Sequence, residues 1–157
     1  MSAAPSDPIA MPETAMATVM DPINVDSLDT FTLTSSTSDD AAWVGQFFAY
    51  GGAGADRSTA IYFAMPPGKR LGRHTDTAEE TQYILSGAGE LLLDDGPKPV
   101  RAGDVFVLKQ GTAHDLRNTG PELLRIIAFF SAPKVQQHWT TEVWEPGALA
   151  VTGTPNN

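Results

Sequence analysis

The sequence predicts an all-β protein, an antiparallel sandwich or barrel formed by one domain. Short apolar runs recur along the chain, Gly, Pro, Asn and Asp separate them, and amphipathic helical stretches are few. Short strands with this spacing and punctuation are typical of sandwiches and barrels. The 157 residues are enough for one domain with a sizeable core.

Eight segments carry the predicted strands, and most of them end at a turn-forming residue. In chain order they read FTLTSS, AAWVGQFFAYGG, STAIYFAMPPG, ETQYILSG, GELLLDDG, DVFVLKQG, HDLRNTG and LLRIIAFFSAP. Glycine and proline stop such runs because they adopt turn conformations or cannot donate a ladder hydrogen bond. The alternation of apolar and polar residues that marks a half-buried strand is clearest in the first run, FTLTSS.

The two ends of the chain differ from this pattern. Residues 1–22 are rich in Ala, Pro, Ser and Met without a period, and we expect a flexible N-terminal arm. The segment KVQQHWTTEVW, residues 134–144, predicts a short C-terminal helix. Residues 148–157, ALAVTGTPNN, are expected to form a flexible tail. The folded domain is therefore expected to cover residues 23–147.

Charge and cysteine content exclude several classes of function. The net charge of −9 and the pI of about 4.5 argue against nucleic acid and anionic membrane surfaces as partners. The absence of cysteine excludes disulfides, thiolate metal sites and thiol nucleophiles, so a metal would need nitrogen and oxygen ligands. With no membrane-length apolar run and no signal-peptide pattern, a cytoplasmic location is expected.

A cluster of potential metal ligands lies in the middle of the chain. Strand side chains alternate between two faces, so an inward His74 places Asp76 and, past a short turn, Glu80 on the same face. His114 comes from a later strand, whereas Glu79 has the opposite parity. Two imidazoles with one or two carboxylates suit Fe(II), Mn, Ni, Zn or Co. Two histidines with one carboxylate are typical of non-haem Fe(II), and either carboxylate could complete that set.

These residues resemble the two sequence motifs of the cupin superfamily. The first motif, G-x5-H-x-H-x3-E-x6-G, has Asp76 where the second histidine is usual, and its other positions hold Gly68, His74, Glu80 and Gly87. The second motif, G-x5-P-x-G-x2-H-x3-N, has Lys109 where proline is usual, and its other positions hold Gly103, Gly111, His114 and Asn118.

The resemblance spans residues 68–118 and implies a cupin-type jelly-roll β-barrel with one divalent metal ion per chain. It implies that His74, Glu80 and His114 are ligands. The role of Asp76 stays open: it could be a ligand, an acceptor for a histidine N–H, or a turn residue. Because small cupins usually pair, the resemblance also implies a homodimer, and the three tryptophans are compatible with such a contact.

Three residues are candidates for a catalytic role beside the metal. Asp76, if it does not bind the ion, could act as a general base. Gln82 shares the inward parity and could orient a water or a substrate. Arg125 lies on the last apolar strand of the predicted domain. If buried, it would need an anionic partner such as a substrate carboxylate; the alternative is an edge arginine that extends to solvent.

Three functions remain open, each with a small organic molecule as ligand. We place first an Fe(II) dioxygenase that takes a diol, diketone or hydroxy acid. The second is a non-redox isomerase, dehydratase, lyase or decarboxylase that uses the ion as a Lewis acid. The third is a non-catalytic binding cupin. A variant of the first is suggested by the H-x-D…H set, which resembles 2-oxoglutarate oxygenases, with Arg125 as the co-substrate's partner. The chain is short for that family, and its glycines follow the cupin spacing.

Overall fold

The computed structural model describes residues 19–155, and these residues form an all-β fold with antiparallel sheets. The predicted fold class is therefore confirmed. The predicted arm falls almost entirely on residues 1–18, which lie outside the described residues. Two single turns of 3-10 helix, Val25–Ser27 and Gly51–Ala53, are the only helical elements between residues 19 and 155. No helix in that range is long and apolar enough to cross a membrane.

The strands of the described region are numbered in chain order. They are β1 Phe31–Ser35, β2 Ala42–Ala49, β3 Thr59–Met65, β4 His74–Asp76, β5 Glu80–Ser86, β6 Ala88–Leu93, β7 Gly96–Arg101, β8 Val105–Leu108, β9 Asp115–Asn118, β10 Leu124–Phe130, β11 Gln136–Trp139, β12 Trp144–Glu145 and β13 Val151–Gly153.

The strands form one large sheet and two small ones. The large sheet has the order β12-β1-β2-β3-β10-β5-β8, and the small sheets have the orders β13-β11-β4 and β7-β6-β9. His74 in β4 and His114, directly before β9, exchange backbone N–H···O=C hydrogen bonds of 3.0 Å in both directions. This bridge joins the two small sheets, and the joined sheets and the large sheet contribute to one core, as in a jelly roll.

The core is made from the inward positions of these strands. Every residue of β3 is buried, and β10 buries Leu124, Ile126, Ala128 and Phe130 in strict alternation with more exposed neighbours. Alternation of this kind is what a sheet with one face on the core requires. Most of the buried apolar residues, from both layers, form one contiguous cluster.

The structure corrects both expectations for the C-terminal segment. The helix expected at residues 134–144 is wrong: β11 pairs with β4 on one side and β13 on the other, and its exposure alternates as in a strand. The flexible tail expected at residues 148–157 is wrong for Val151–Gly153, which is β13. Both segments are ordered by pairing with other strands rather than by local helix formation.

Candidate metal centre

The candidate ligands come together inside the fold from three neighbouring segments. His74 and Asp76 lie on β4, Glu80 begins β5, and His114 directly precedes β9. All four side chains are between 1% and 5% exposed, as the alternation of strand side chains predicts. Glu79, which has the opposite parity, is exposed.

Backbone hydrogen bonds fix the two imidazoles as a pair. The bridge between the main chains of His74 and His114 holds their ring centroids 4.3 Å apart. The Nδ1 atom of His74 lies 2.8 Å from the carbonyl oxygen of Gly72, and Nδ1 of His114 lies 2.8 Å from that of Thr112. Each Nδ1–H therefore donates to the backbone, which leaves Nε2 of both rings for a metal.

The distances between the ligand atoms match the size of one small cation. Oδ2 of Asp76 lies 3.6 Å from Nε2 of His74 and 3.5 Å from Nε2 of His114, and Oε1 of Glu80 lies 3.4 Å from Nε2 of His114. One ion with bonds of about 2.1 Å in tetrahedral geometry separates its ligand atoms by roughly 3.4 Å. The ligand atoms of His74, Asp76 and His114 all lie within 4.8 Å of one another.

Several of these atoms are buried without a hydrogen-bond partner. Both carboxylate oxygens of Asp76 and Nε2 of His114 are buried and have no such partner among residues 19–155. Polar atoms left in this state cost stability, and they are rare in native proteins. A divalent cation would satisfy all three atoms at once, so the residues present fit the metal that the sequence implies.

The electrostatics of the metal-free cluster follow from its burial. Burial and the charge of His114 hold the pKa of His74 well below its usual value of 6.5. Burial and repulsion from Glu80 raise the pKa of Asp76 well above its usual value of 3.8. Burial lowers the pKa of His114, but the contact with Glu80 and the charges of Glu80 and Asp76 outweigh it and raise the pKa to about 9. An incoming cation must therefore displace a proton from His114.

Gln82 contacts a predicted ligand rather than the cavity. Its side chain is fully buried, and its Nε2 donates a hydrogen bond of 2.7 Å to Oε1 of Glu80. Gln82 is also absent from the cavity lining in the described chain. The arrangement makes Gln82 a positioning residue for Glu80, and orientation of a bound water or substrate, as predicted for Gln82, has no support in this geometry.

The structure places Arg125 outside the site, which corrects its prediction as a catalytic residue. On β10 it alternates with the buried residues Leu124 and Ile126, so it lies on the outer face of the sheet. Its guanidinium donates to the hydroxyl of Tyr62 at 3.0 Å and forms an ion pair with Asp26. These contacts give Arg125 a protein partner in place of a substrate carboxylate.

A cavity with an apolar wall opens beside the candidate ligands. Part of it is open to solvent. Its lining combines three of the candidate ligands with apolar side chains and one amide: Trp43, Ile61, Phe63, Leu71, His74, Asp76, Glu80, Phe130, Gln137 and Trp139.

Sequence reasoning missed the contribution of β11 to this wall. The ring of Trp139 packs against His74 at a centroid distance of 4.4 Å. Trp139 and Gln137 have the inward parity of β11, but a helix was expected there. Phe63 and Phe130 lie in the core and also border the cavity.

Comparison with known proteins agrees with this fold. The family model described as Cupin domain matches residues 61–130, a range that contains all four candidate ligands. Protein SchB of Streptomyces halstedii is 34% identical over 76 residues, which cover 48% of this chain and 55% of SchB. An oxalate-binding protein of Thermotoga maritima is 37% identical over 65 residues, 41% of this chain and 54% of that protein. The chain thus spans about half the length of these curated relatives.

Among solved structures, a protein described as a predicted oxalate decarboxylase from Thermotoga maritima is similar in fold. It superposes with a TM-score of 0.63 at 23% identity, and the match covers 71% of this chain and 99% of that chain. At this identity the similarity concerns the fold.

Proposed function

We propose, from the premise that residues 61–130 form a cupin domain, that this protein is a metal-dependent enzyme acting on a small organic molecule. One observation carries the proposal. Buried ligand atoms of His74, Asp76 and His114 converge within 4.8 Å of one another, and atoms of Asp76 and His114 are buried without a hydrogen-bond partner in the described chain.

The reaction that this donor set supports best is oxygenation with Fe(II). The three-residue group contains two histidines and one carboxylate, the set that leaves coordination positions open in non-haem iron oxygenases. Bound Fe(II) would supply the electrons for reaction with O2 at those positions. The absence of cysteine fits an ion held by nitrogen and oxygen, and Mn, Ni, Zn and Co are alternatives for the same ligands.

Other groups of the protein orient the candidate ligands and limit access of water to them. The carbonyls of Gly72 and Thr112 orient the two imidazoles through their Nδ1 atoms. Gln82 fixes one oxygen of Glu80, which also contacts His114. The rings beside the cluster limit access of water, and electrostatic interactions strengthen where water is excluded.

A non-redox isomerase, dehydratase, lyase or decarboxylase is the second candidate. It is favoured by Glu80, which is not a member of the three-residue group and lines the cavity. A carboxylate that borders the cavity without binding the metal could accept or return a substrate proton. A third candidate, binding without turnover, draws on the name of the oxalate-binding relative.

Reconstitution without oxygen followed by oxygen uptake distinguishes these functions. Protein loaded with Fe(II), Mn(II) or Zn(II) is mixed with a panel of diols, diketones and hydroxy acids, and O2 consumption and product formation are recorded. The proposal predicts substrate-dependent O2 uptake only with Fe(II), and its loss in His114→Ala. The exposed His138 supplies the matched control His138→Ala. Turnover without O2 by the Zn(II) form would establish the second candidate, and binding without any turnover the third.

We also propose that two copies of the chain pair through the outer face of β5, β8 and β10. Cross-strand register places Tyr83 beside Val105 and Ile127, and Thr81 beside Val107 and Phe129. The side chains of Val105, Val107 and Phe129 are 61%, 56% and 49% exposed, and such apolar patches mark interaction sites. The tryptophans are buried and do not form this surface.

Light scattering tests this pairing. The wild type is expected at twice the mass of one chain, and Val107→Asp is expected to reduce it to one. A wild-type monomer at high concentration would refute the pairing.

A further inference from the structure

We infer that the cavity takes an uncharged ring compound, which meets the metal through its own oxygen atoms and accepts a hydrogen bond from the indole N–H of Trp43. This inference rests on the proposed function, because it places the substrate beside the proposed ion. It goes further by naming the class of substrate and a residue that selects it.

The shape of the wall favours a flat apolar ring. The ring of Trp139 packs on His74, and the ring of Trp43 lies 6.1 Å from Trp139 and 6.3 Å from Phe63 between centroids. Together with Phe130, these rings form a largely aromatic surface beside the candidate ligands. Aromatic walls bind ring compounds through offset or edge contacts and through burial of apolar area.

The charges around the cavity argue against a dianionic ligand. Two carboxylates, Asp76 and Glu80, line the cavity, and neither Lys nor Arg is among the lining residues of the described chain. As ligands, these two carboxylates already offset the charge of a divalent ion. A bound dianion such as oxalate or a phosphate monoester would leave two buried negative charges without a partner, which is costly. The net charge of −9 on the whole chain adds to this repulsion.

Asp76 itself is the origin of this selectivity. In the motif that the sequence resembles, histidine is usual at the position of Asp76. A neutral imidazole there would leave the occupied site with a net positive charge, which suits an anion. The carboxylate removes that charge, so the site of this chain accepts an uncharged compound more readily than an anionic one.

Trp43 offers the one unpaired indole donor in the described cavity lining. Its Nε1 is buried without a hydrogen-bond partner among residues 19–155, and its side chain lines the cavity. Trp144 has a similarly unpaired Nε1 but is not part of the lining. A buried N–H of this kind needs an acceptor, and a ligand carbonyl or ether oxygen in the cavity would provide one.

Calorimetric titration of the Zn(II)-loaded protein tests both parts of the inference. Three probes are compared: 1,2-dimethoxybenzene, 3,4-dimethoxyacetophenone, which has the same pair of ether oxygens and an added carbonyl acceptor, and oxalate. We expect both ring compounds, which stay uncharged on the metal, to bind at least about tenfold more tightly than oxalate. We expect the added carbonyl to improve affinity up to about tenfold in the wild type, the range of one buried hydrogen bond.

Two matched variants isolate the indole donor. Trp43→Phe removes the donor from the cavity, and Trp144→Phe makes the same change outside it. The affinity gained from the carbonyl, relative to 1,2-dimethoxybenzene, is expected to vanish in Trp43→Phe and to persist in Trp144→Phe. Both variants are checked for zinc content and thermal unfolding.

The outcomes separate this inference from the proposed function. A zinc-loaded wild type that prefers oxalate overturns the inference about the ligand class. If Trp43→Phe and Trp144→Phe gain equally in affinity from the added carbonyl, the role of Trp43 is overturned. Neither result affects the metal site. A wild type that retains no zinc overturns the proposed function and the inference with it.

Discussion

The substitution Asp76→Asn should change the stability and the metal affinity of the protein in opposite directions. In the metal-free chain, Asp76 is 5% exposed, lies near Glu80, and neither of its oxygens has a hydrogen-bond partner in the described chain. Its raised pKa means that the folded state disfavours the charged form. Stability is therefore lost as the pH rises above about 4 toward the raised pKa, and an amide removes this loss.

The magnitude follows from the cost of a buried unsatisfied group, about 1–3 kcal/mol. Asparagine keeps the shape but leaves an amide with unmet hydrogen bonds and gives up the attraction of the carboxylate for protonated His114, so we expect only about 1 kcal/mol of added stability at neutral pH. For a chain of 157 residues this corresponds to a rise in Tm of roughly 2–4 °C. For metal affinity we expect a loss of at least about 100-fold, because loss of an outer partner alone costs about 10–100-fold.

Differential scanning calorimetry of the metal-free and Zn(II)-saturated proteins measures both effects. Zinc is expected to raise Tm in the wild type and to raise it far less in Asp76→Asn. The matched control is Glu79→Gln, which removes the same charge from an exposed neighbour. Undiminished zinc affinity in Asp76→Asn would show that Asp76 is not a ligand, and a metal-free variant less stable than wild type would refute the argument from burial.

Three further predictions concern the same cluster. His114→Ala should abolish bound metal, as counted by mass spectrometry, while circular dichroism reports a retained fold; full metal retention would contradict the site. Because the pKa of His114 is raised from 6.5 to about 9, its protonation stabilises the metal-free fold below about pH 6.5, and this contribution is lost as the pH rises through 9. NMR titration of the imidazole should show that midpoint, and a midpoint below 6.5 would refute the role of the two carboxylates. If Glu80 binds the metal, Gln82→Leu, which removes the donor to Glu80, should weaken metal binding by about 10–100-fold in competition with a chelator; unchanged affinity would show that the Gln82–Glu80 contact does not support the ion.

The sequence was sufficient to predict the geometry of the candidate ligands. His74, Asp76 and Glu80 share one face because strand alternation is a local property, and it holds across the short turn between β4 and β5. His114 lies on the neighbouring segment, as the second motif implies, and Asn118 holds the following turn through its side-chain hydrogen bonds.

Arg125 could not be placed from the sequence because its strand is apolar on both faces. The segment LRIIAFF buries one set of side chains in the core and exposes Phe129 on the other face. A continuous apolar run gives no period, so the inward parity is ambiguous until the sheet partners are known.

The C-terminal strands and β7 were not predicted because their partners are distant or their composition is unfavourable. Formation of β11 depends on pairing with β4, which lies some sixty residues earlier in the chain, and no local sequence signal indicates that pairing. Within β7, Pro97 and Pro99 suggest a turn, but β7 is an edge strand paired with β6 alone, where proline is tolerated.

The central claim is that two histidines and at least one carboxylate hold a cation inside this fold. Anomalous diffraction from crystals grown with Mn(II) tests it most directly. We expect one anomalous peak per chain, about 2.0–2.3 Å from Nε2 of His74 and of His114 and within the same range of a carboxylate oxygen of Asp76 or Glu80. Manganese-loaded crystals with no peak between those two imidazoles would contradict it.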